Sequence, residues 1–167
     1  ALKQLRDYLG DRMDANAVFL SDFRRILDDP EIDAVVVATP DHWHGLATVW
    51  ACQAGKDVYL EKPDSHNLWE AVQMTEAARK YGRIVQVGAQ NRSAPYIHEA
   101  REYVRSGKLG DIHLVKVYNL KPHASFQYGQ APFILGASAS MPSGFDWDLW
   151  LGCAPYRPYH ERIVSGY

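Results

Sequence analysis

The sequence predicts an α/β fold built on a parallel sheet with helices on its faces. Three apolar runs of strand length, at residues 34–38, 57–60 and 84–88, alternate with stretches of helical periodicity. Strands and helices that alternate in units of this size imply βαβ crossovers, and such crossovers join parallel strands.

The first part of the chain already alternates between apolar runs and helix signals. A short apolar run at 18–20 precedes an amphipathic stretch that must stop at Pro30. The β-branched run at 34–38 has no polar interruption, which is typical of a strand covered on both faces. A helix is then expected over 46–54, because Gly55 is a favourable residue just beyond a helix end.

The next elements carry clearer boundary signals. Asn67 and Glu70 have the spacing of a capping box, which predicts a helix from there to Gly82. A further helix is expected over 95–106, ending before Gly107. Together with the three strands, these helices complete the alternating pattern.

The composition and periodicity of the sequence change near Asp111. Residues 112–118 have the composition of a strand, but 119–167 are rich in Gly, Pro, Ser and aromatic residues and have little helical periodicity. Irregular tracts of this length are uncommon inside one compact domain. We therefore expect two domains, 1–111 and 112–167.

Composition and charge exclude several classes of protein. The 167 residues carry a net charge of −2 without a basic cluster, so no nucleic-acid partner is expected. No apolar run approaches the ~20 residues of a membrane span. Cys52 and Cys153 are far apart in the chain and do not form a disulfide framework. A cytoplasmic location is expected, although a chain that starts at Ala1 leaves export open.

Polar groups follow each predicted strand directly. Residues 39–44, 61–63 and 88–92 supply Lys, Arg and two His side chains at these positions. In open α/β sheets, ligands bind outside the carboxyl ends of the strands. Three such segments in succession therefore predict a functional site at this edge.

These residues also have plainer interpretations. Asp41, His42 and His44 could bind a metal, but structural and catalytic sites need three or four ligands, so we expect none. His42 is better explained as a capping or loop residue. Lys62 could be an ordinary lysine that faces solvent before a turn.

An aromatic group lies near the end of the sequence. Trp147, Trp150, Tyr156 and Tyr159 could stack on the faces of sugar rings. Packing within a loop is the more common role of such a cluster, and it is the favoured interpretation here.

Two segments give the sequence a specific resemblance. Ala-Thr-Pro-Asp-His-Trp-His at 38–44, with Glu-Lys-Pro at 61–63 after a strand, resembles the Gfo/Idh/MocA family of oxidoreductases. The resemblance continues through 87–93, and residues 145–152 resemble a subgroup of bacterial members. It implies a partial Rossmann domain, a doubly wound parallel sheet, over 1–111. The beginning of an α+β substrate domain would follow over 112–167.

The resemblance also implies an activity: NAD(P)-dependent oxidation of a sugar, sugar derivative or cyclitol, with hydride transfer between a substrate carbinol and the nicotinamide of NAD or NADP. A homo-oligomer is expected. An ammonium group near the reacting oxygen would stabilise developing negative charge, which gives Lys62 a catalytic role. The cofactor-binding residues implied are Thr39, Pro40, His44, Glu61, Lys62 and Gln90; the substrate-binding residues implied are Lys62, Arg92 and Trp147.

Two features depart from the family pattern. The sequence contains no G-x-G-x-x-G phosphate loop, and the Asp and His of a later substrate-domain helix have no counterpart. The chain therefore resembles a fragment, which keeps open a non-catalytic truncated remnant or assembly module. An NAD-dependent glycoside hydrolase of the same family is a further alternative. At the site itself, we predict a cis peptide bond between Lys62 and Pro63, with the Lys62 side chain directed inward.

Overall fold

A three-stranded parallel sheet lies at the centre of the fold in this computed structural model, which describes residues 7–14, 16–118 and 140–164. The strands are β1 (Ala34–Val37), β2 (Asp57–Glu61) and β3 (Val85–Gly88), hydrogen-bonded in the order β1-β2-β3. Both neighbouring pairs are parallel. The predicted parallel sheet is confirmed, whereas part of the irregular tract, 119–139, lies outside the described residues.

Helices connect and flank these strands. Two of them, at Asp41–Gln53 and Leu68–Tyr81, are the crossovers from β1 to β2 and from β2 to β3. Short 3-10 turns occur at Gly10–Arg12 and Gln90–Ser93. The α-helices are α1 (Arg24–Leu27), α2 (Asp41–Gln53), α3 (Leu68–Tyr81), α4 (Pro95–Arg105), α5 (Trp147–Leu151) and α6 (Glu161–Val164).

The core lies between the sheet and the two crossover helices. Alternate strand residues, Val37, Val58 and Leu60, point toward Cys52 of α2 and Met74 of α3 and are buried with them. Leu60 is fully buried, and burial of such a side chain stabilises the fold by about 1.5–3 kcal/mol. The period of two along each strand therefore directs one set of side chains into this core.

The opposite face of the sheet is open in the described residues. Val36 is 71% exposed and Tyr59 is 37% exposed, because α2 and α3 both pack on the other face. The expectation that the β-branched run would be covered on both faces is thus wrong for the part of the chain that the structure describes. Composition predicted the strand correctly, but it did not reveal which elements would cover it.

The N-cap predicted at the start of α3 is confirmed, but the return bond from Glu70 goes to the amide of His66 and not to that of Asn67. Asn67 Oδ1 accepts a hydrogen bond from the Glu70 amide at 3.0 Å, and Glu70 Oε2 accepts one from the His66 amide at 3.1 Å. These bonds satisfy backbone donors that have no partner inside the helix. Gly82 ends the helix in the left-handed conformation, with φ of 61°.

The helix α2 begins earlier than predicted. It starts at Asp41, directly after Pro40, whose ψ of 149° is extended and not helical. The Asp41 carboxylate lies in the first turn, where a negative charge interacts favourably with the helix dipole. As a result, His42, Trp43 and His44 lie on a helical turn, and the prediction of His42 as a loop or capping residue is wrong.

The chain after the sheet agrees with prediction only in part. The helix predicted over 95–106 is confirmed as α4. Residues 112–118 form no strand, and Leu114, Val115 and Val117 are exposed. A strand needs a hydrogen-bonded neighbour, and no described residue provides one for this segment.

Candidate active site

The three predicted polar segments meet at one edge of the sheet. Thr39 and Pro40 follow β1, Lys62 and Pro63 follow β2, and the turn Gln90–Ser93 follows β3. Because the strands are parallel and adjacent, their carboxyl ends lie at the same edge. The fold therefore brings the three segments together, which their order along the sequence could not show.

Glu61 links the ends of β2 and β3. Its Oε1 accepts a hydrogen bond from Gln90 Nε2 at 2.8 Å, and its Oε2 accepts one from the Lys62 amide at 3.2 Å. Glu61 pairs with Gly88 in the sheet register, so the Gln90 turn begins close beside it. The carboxylate thus orders both neighbouring segments, although neither Glu61 nor Gln90 is fully buried.

The peptide bond between Lys62 and Pro63 is cis, as predicted. The Lys62 side chain is nevertheless exposed, and no described residue pairs with its Nζ. The inward orientation expected for Lys62 is therefore not found. Its ammonium group is accessible at the edge of the sheet and can approach a ligand there.

His44 is the most constrained side chain of this edge. It is 1% exposed, and both ring nitrogens face backbone carbonyl oxygens. Nε2 lies 2.9 Å from the Thr39 oxygen, and Nδ1 lies 2.5 Å from the Pro63 oxygen. The ring therefore joins the segment after β1 to the segment after β2, and a cofactor contact by His44 stays a prediction.

Thr39 has a hydroxyl group without a partner. Its Oγ1 is buried and forms no hydrogen bond with any described residue. Buried polar atoms are nearly always paired, so an orphaned hydroxyl at a strand end fits a missing ligand. Thr39 and Pro40 line a cavity of about 410 Å³ together with Phe23, Trp43 and Trp150.

The remaining predicted residues have different environments. Arg92 is exposed on the turn after β3. Trp147 is buried, donates a hydrogen bond from Nε1 to the Arg157 carbonyl at 2.7 Å, and stacks on Trp150 with ring centroids 5.0 Å apart. These contacts favour packing as the role of the aromatic cluster, and substrate binding by Trp147 stays a prediction.

Sequence reasoning missed a junction between α2 and the segment 140–164. His42 Nε2 lies 2.7 Å from the Trp150 oxygen, and Trp43 Nε1 donates to the Leu149 oxygen at 3.0 Å. In return, Cys153 Sγ donates to the His42 oxygen at 3.0 Å. The side chains of α2 therefore satisfy carbonyl groups at the end of α5. Tryptophan-rich motifs in both segments were the one signal that could have indicated this contact.

Gly152 allows the junction to close. It has φ of 54°, and a Cβ atom at this position would lie 2.3 Å from carbons of the Trp43 ring. Such a distance is far below van der Waals contact, so only glycine fits. The indole of Trp43 thus lies directly on the backbone that follows α5.

This edge offers a bound dinucleotide several polar groups. They are the orphaned Thr39 hydroxyl, the accessible Lys62 and the Glu61–Gln90 pair. The pyrophosphate end normally binds a Gly-rich loop, and the sequence has none. Across 7–14, 16–118 and 140–164, no group of three His, Cys, Asp or Glu could hold a metal ion.

Comparison with known proteins identifies similar sequences and folds. The profile of an oxidoreductase family with an NAD-binding Rossmann fold, Gfo/Idh/MocA, matches residues 6–89, about half of the chain. The scyllo-inositol 2-dehydrogenase (NAD(+)) of Bacillus subtilis is 35% identical over 51% of this chain and 25% of its own length. Levoglucosan dehydrogenase of Pseudarthrobacter phenanthrenivorans is also 35% identical, over 55% of this chain and 24% of its own.

A solved structure is also similar to this chain. The biliverdin reductase of Synechocystis, crystallised with biliverdin and NADP+, is 29% identical with a TM-score of 0.51. That match covers 55% of this chain and 28% of the reductase. This chain spans only about a quarter to a third of the curated relatives it matches. Among the described residues, no helix has the length and apolar character needed to cross a membrane.

Proposed function

This chain belongs to the Gfo/Idh/MocA oxidoreductase family, and we propose that it forms the nicotinamide side of the active site of an NAD(P)-dependent dehydrogenase. The observation that carries the proposal is the single sheet edge at which Thr39, Lys62 and Gln90 follow three parallel strands and Glu61 ends the middle one. The substrate class we propose is a sugar, a sugar derivative or a cyclitol.

Each residue at this edge has a task that its environment permits. Thr39 Oγ1 is free to hydrogen-bond the bound dinucleotide, and Pro40 would form part of the wall beside it. Glu61 and Gln90, already hydrogen-bonded to each other, would border the nicotinamide. When bound, the nicotinamide supplies the hydride acceptor or donor.

Lys62 is the proposed catalytic residue. Its Nζ has no partner among the described residues and would contact the reacting oxygen of the substrate. In reduction the ammonium group would stabilise negative charge on that oxygen and donate a proton to it, and in oxidation the neutral amine would accept the hydroxyl proton. The hydrogen bond from its own amide to Glu61 holds the backbone from which the side chain extends.

A polyhydroxylated ring is the proposed substrate because the two curated relatives named above act on an inositol and on levoglucosan. Exposed Arg92 could donate hydrogen bonds to such hydroxyl groups from the turn after β3. Trp147 remains a proposed substrate contact only if its edge is accessible, because its face stacks on Trp150.

The test uses the full open reading frame that contains this chain. NADH or NADPH formation is followed by absorbance with scyllo-inositol, myo-inositol and levoglucosan as separate substrates. Lys62→Ala should lower turnover by about 10²–10⁴-fold, the usual contribution of an acid–base or charge-stabilising group. Lys80→Ala, at an exposed lysine near the end of α3, is the matched control and should leave turnover within about twofold.

The outcomes separate the alternatives. Release of a glycosidic leaving group without net NADH accumulation would indicate a glycoside hydrolase of the same family. Absence of both turnover and cofactor binding in the full reading frame would indicate a non-catalytic remnant or assembly module. Normal turnover in Lys62→Ala would remove Lys62 from the mechanism.

A further inference from the structure

The ring of His44 connects two strand ends that are far apart in the sequence. Its Nε2 faces the carbonyl of Thr39, five residues earlier, and its Nδ1 faces the carbonyl of Pro63, nineteen residues later. The side chain is 1% exposed, so water does not compete for either nitrogen. The two contacts therefore define where the Lys62–Pro63 turn lies relative to the end of β1.

The hydrogen-bonding capacity of imidazole limits what these contacts can be. Carbonyl oxygens only accept, and a neutral ring carries one N–H, so it donates to one of the two oxygens. A doubly protonated ring donates to both. The contact to Pro63 is the shorter one, at 2.5 Å against 2.9 Å, so the proton of the neutral ring is assigned to Nδ1.

We propose that His44 is a positioning residue whose Nδ1–H holds the Pro63 carbonyl and thereby fixes the Lys62 backbone at the site. Its effect on catalysis rests on the dehydrogenase function proposed above. In this role His44 would act without touching cofactor or substrate, because burial and the two carbonyls occupy its ring. The proposal differs from the cofactor contact that the sequence resemblance implied.

The neighbouring His42 provides an internal comparison. It lies on the same helical turn, and its Nε2 also faces a backbone carbonyl, but that carbonyl belongs to Trp150 of α5. The two histidines therefore make similar bonds to different segments. If His44 acts through the Lys62 turn, replacing His42 in the same way should disturb α5 and have a smaller effect on the turn.

Nitrogen-15 NMR of the histidine rings tests the proposed bond directly. The full reading frame is labelled at histidine, and the His44 signals are assigned by their loss in His44→Asn. We expect Nδ1 to have the shift of a protonated, pyrrole-type nitrogen. A pyridine-type Nδ1 with the proton on Nε2 would overturn the proposal, because the ring would then donate only to Thr39.

Amide substitutions test the consequence for catalysis. The side-chain nitrogen of Asn is separated from Cα by as many bonds as Nδ1 of histidine. The side-chain nitrogen of Gln is separated from Cα by as many bonds as Nε2 when the bonds are counted along the chain of heavy atoms. His44→Asn should keep kcat within about tenfold of the wild type. His44→Gln and His44→Phe should lower kcat by about 100-fold, the cost of a misplacement of roughly 1 Å. The Kd for NADH should change by less than about threefold in the soluble variants.

The comparison between Asn and Gln remains decisive if His44→Phe fails to fold. Equal kcat values for Asn and Gln, or full activity in both, would overturn the positioning role. A wild-type protein without dehydrogenase turnover would refute the proposed function, while the NMR measurement would still decide whether His44 holds Pro63. The two failures are therefore distinguishable.

Discussion

The crossover unit from β1 to β3 and the segment 140–164 are stabilised in different ways. The unit has a continuous apolar core between one sheet face and two helices. The segment contains α5, five residues long, and is held to α2 by hydrogen bonds to carbonyl groups and by the tilted contact of the His42 and Trp150 rings, whose centroids lie 5.3 Å apart. A core creates a cooperative unit, whereas a docked segment can separate without unfolding what it contacts.

Matched leucine truncations give the largest expected contrast. Leu60 is fully buried in the core of the crossover unit, and Leu151 is 5% exposed at the end of α5 but lies outside that core. Leu60→Ala should lower the free energy of unfolding by about 2–5 kcal/mol in urea titrations followed by circular dichroism. Leu151→Ala should leave that transition nearly unchanged and increase hydrogen exchange only in the segment 140–164. Equal losses from both variants would mean that the two regions unfold as one.

A glycine pair tests the contact that holds the segment. Gly152 and Gly144 both have positive φ, 54° and 75°, but only Gly152 lies against the Trp43 ring, and a Cβ at Gly144 meets nothing within 4 Å. Both alanine variants carry the strain of a positive φ, which is greater at Gly152 because its ψ of −118° lies outside the left-handed helical region, and only Gly152→Ala also collides with Trp43. We expect faster hydrogen exchange in α5 for Gly152→Ala than for Gly144→Ala. Similar exchange in both variants would show that strain alone matters.

The difference between local patterns and contacts between distant residues explains which features the sequence could predict. The parallel strands, the N-cap at Asn67 and the cis Lys62–Pro63 bond follow from local patterns or from the resemblance. The junction of His42 with Trp150 joins residues 108 positions apart, so no local periodicity could reveal it. The two contacts of the His44 ring were not predicted for a similar reason: its partners are backbone carbonyls, which have no sequence signature.

The two cysteines should differ in reactivity, because one lies in each of the two regions. Cys52 is buried in the crossover core, and desolvation raises the pKa of its thiol, whereas Cys153 is exposed in the segment. Because the thiolate is the nucleophile, iodoacetamide at pH 8 should alkylate Cys153 and leave Cys52 unmodified in the native protein, as read by mass spectrometry. Preferential labelling of Cys52 would contradict the described core.

A small pH effect should accompany the burial of Cys52. A raised pKa in the folded state means that folding favours the neutral thiol, a contribution present below the unfolded pKa of about 8.5. That contribution is lost as the pH rises through the higher folded value. The free energy of unfolding should therefore decrease less between pH 8 and pH 10 in Cys52→Ala than in the wild type. Parallel pH profiles would contradict this account.

The most direct test of the proposed site is a crystal structure of the full reading frame with NADH bound. The nicotinamide ring should lie at the carboxyl ends of β1 and β2, beside Glu61 and Lys62, with Thr39 Oγ1 within about 3 Å of a polar atom of the cofactor. Lys62 Nζ should then reach the space above the ring that a substrate oxygen would occupy. A nicotinamide bound away from this edge, with the Thr39 hydroxyl still unpaired, would contradict the central claim.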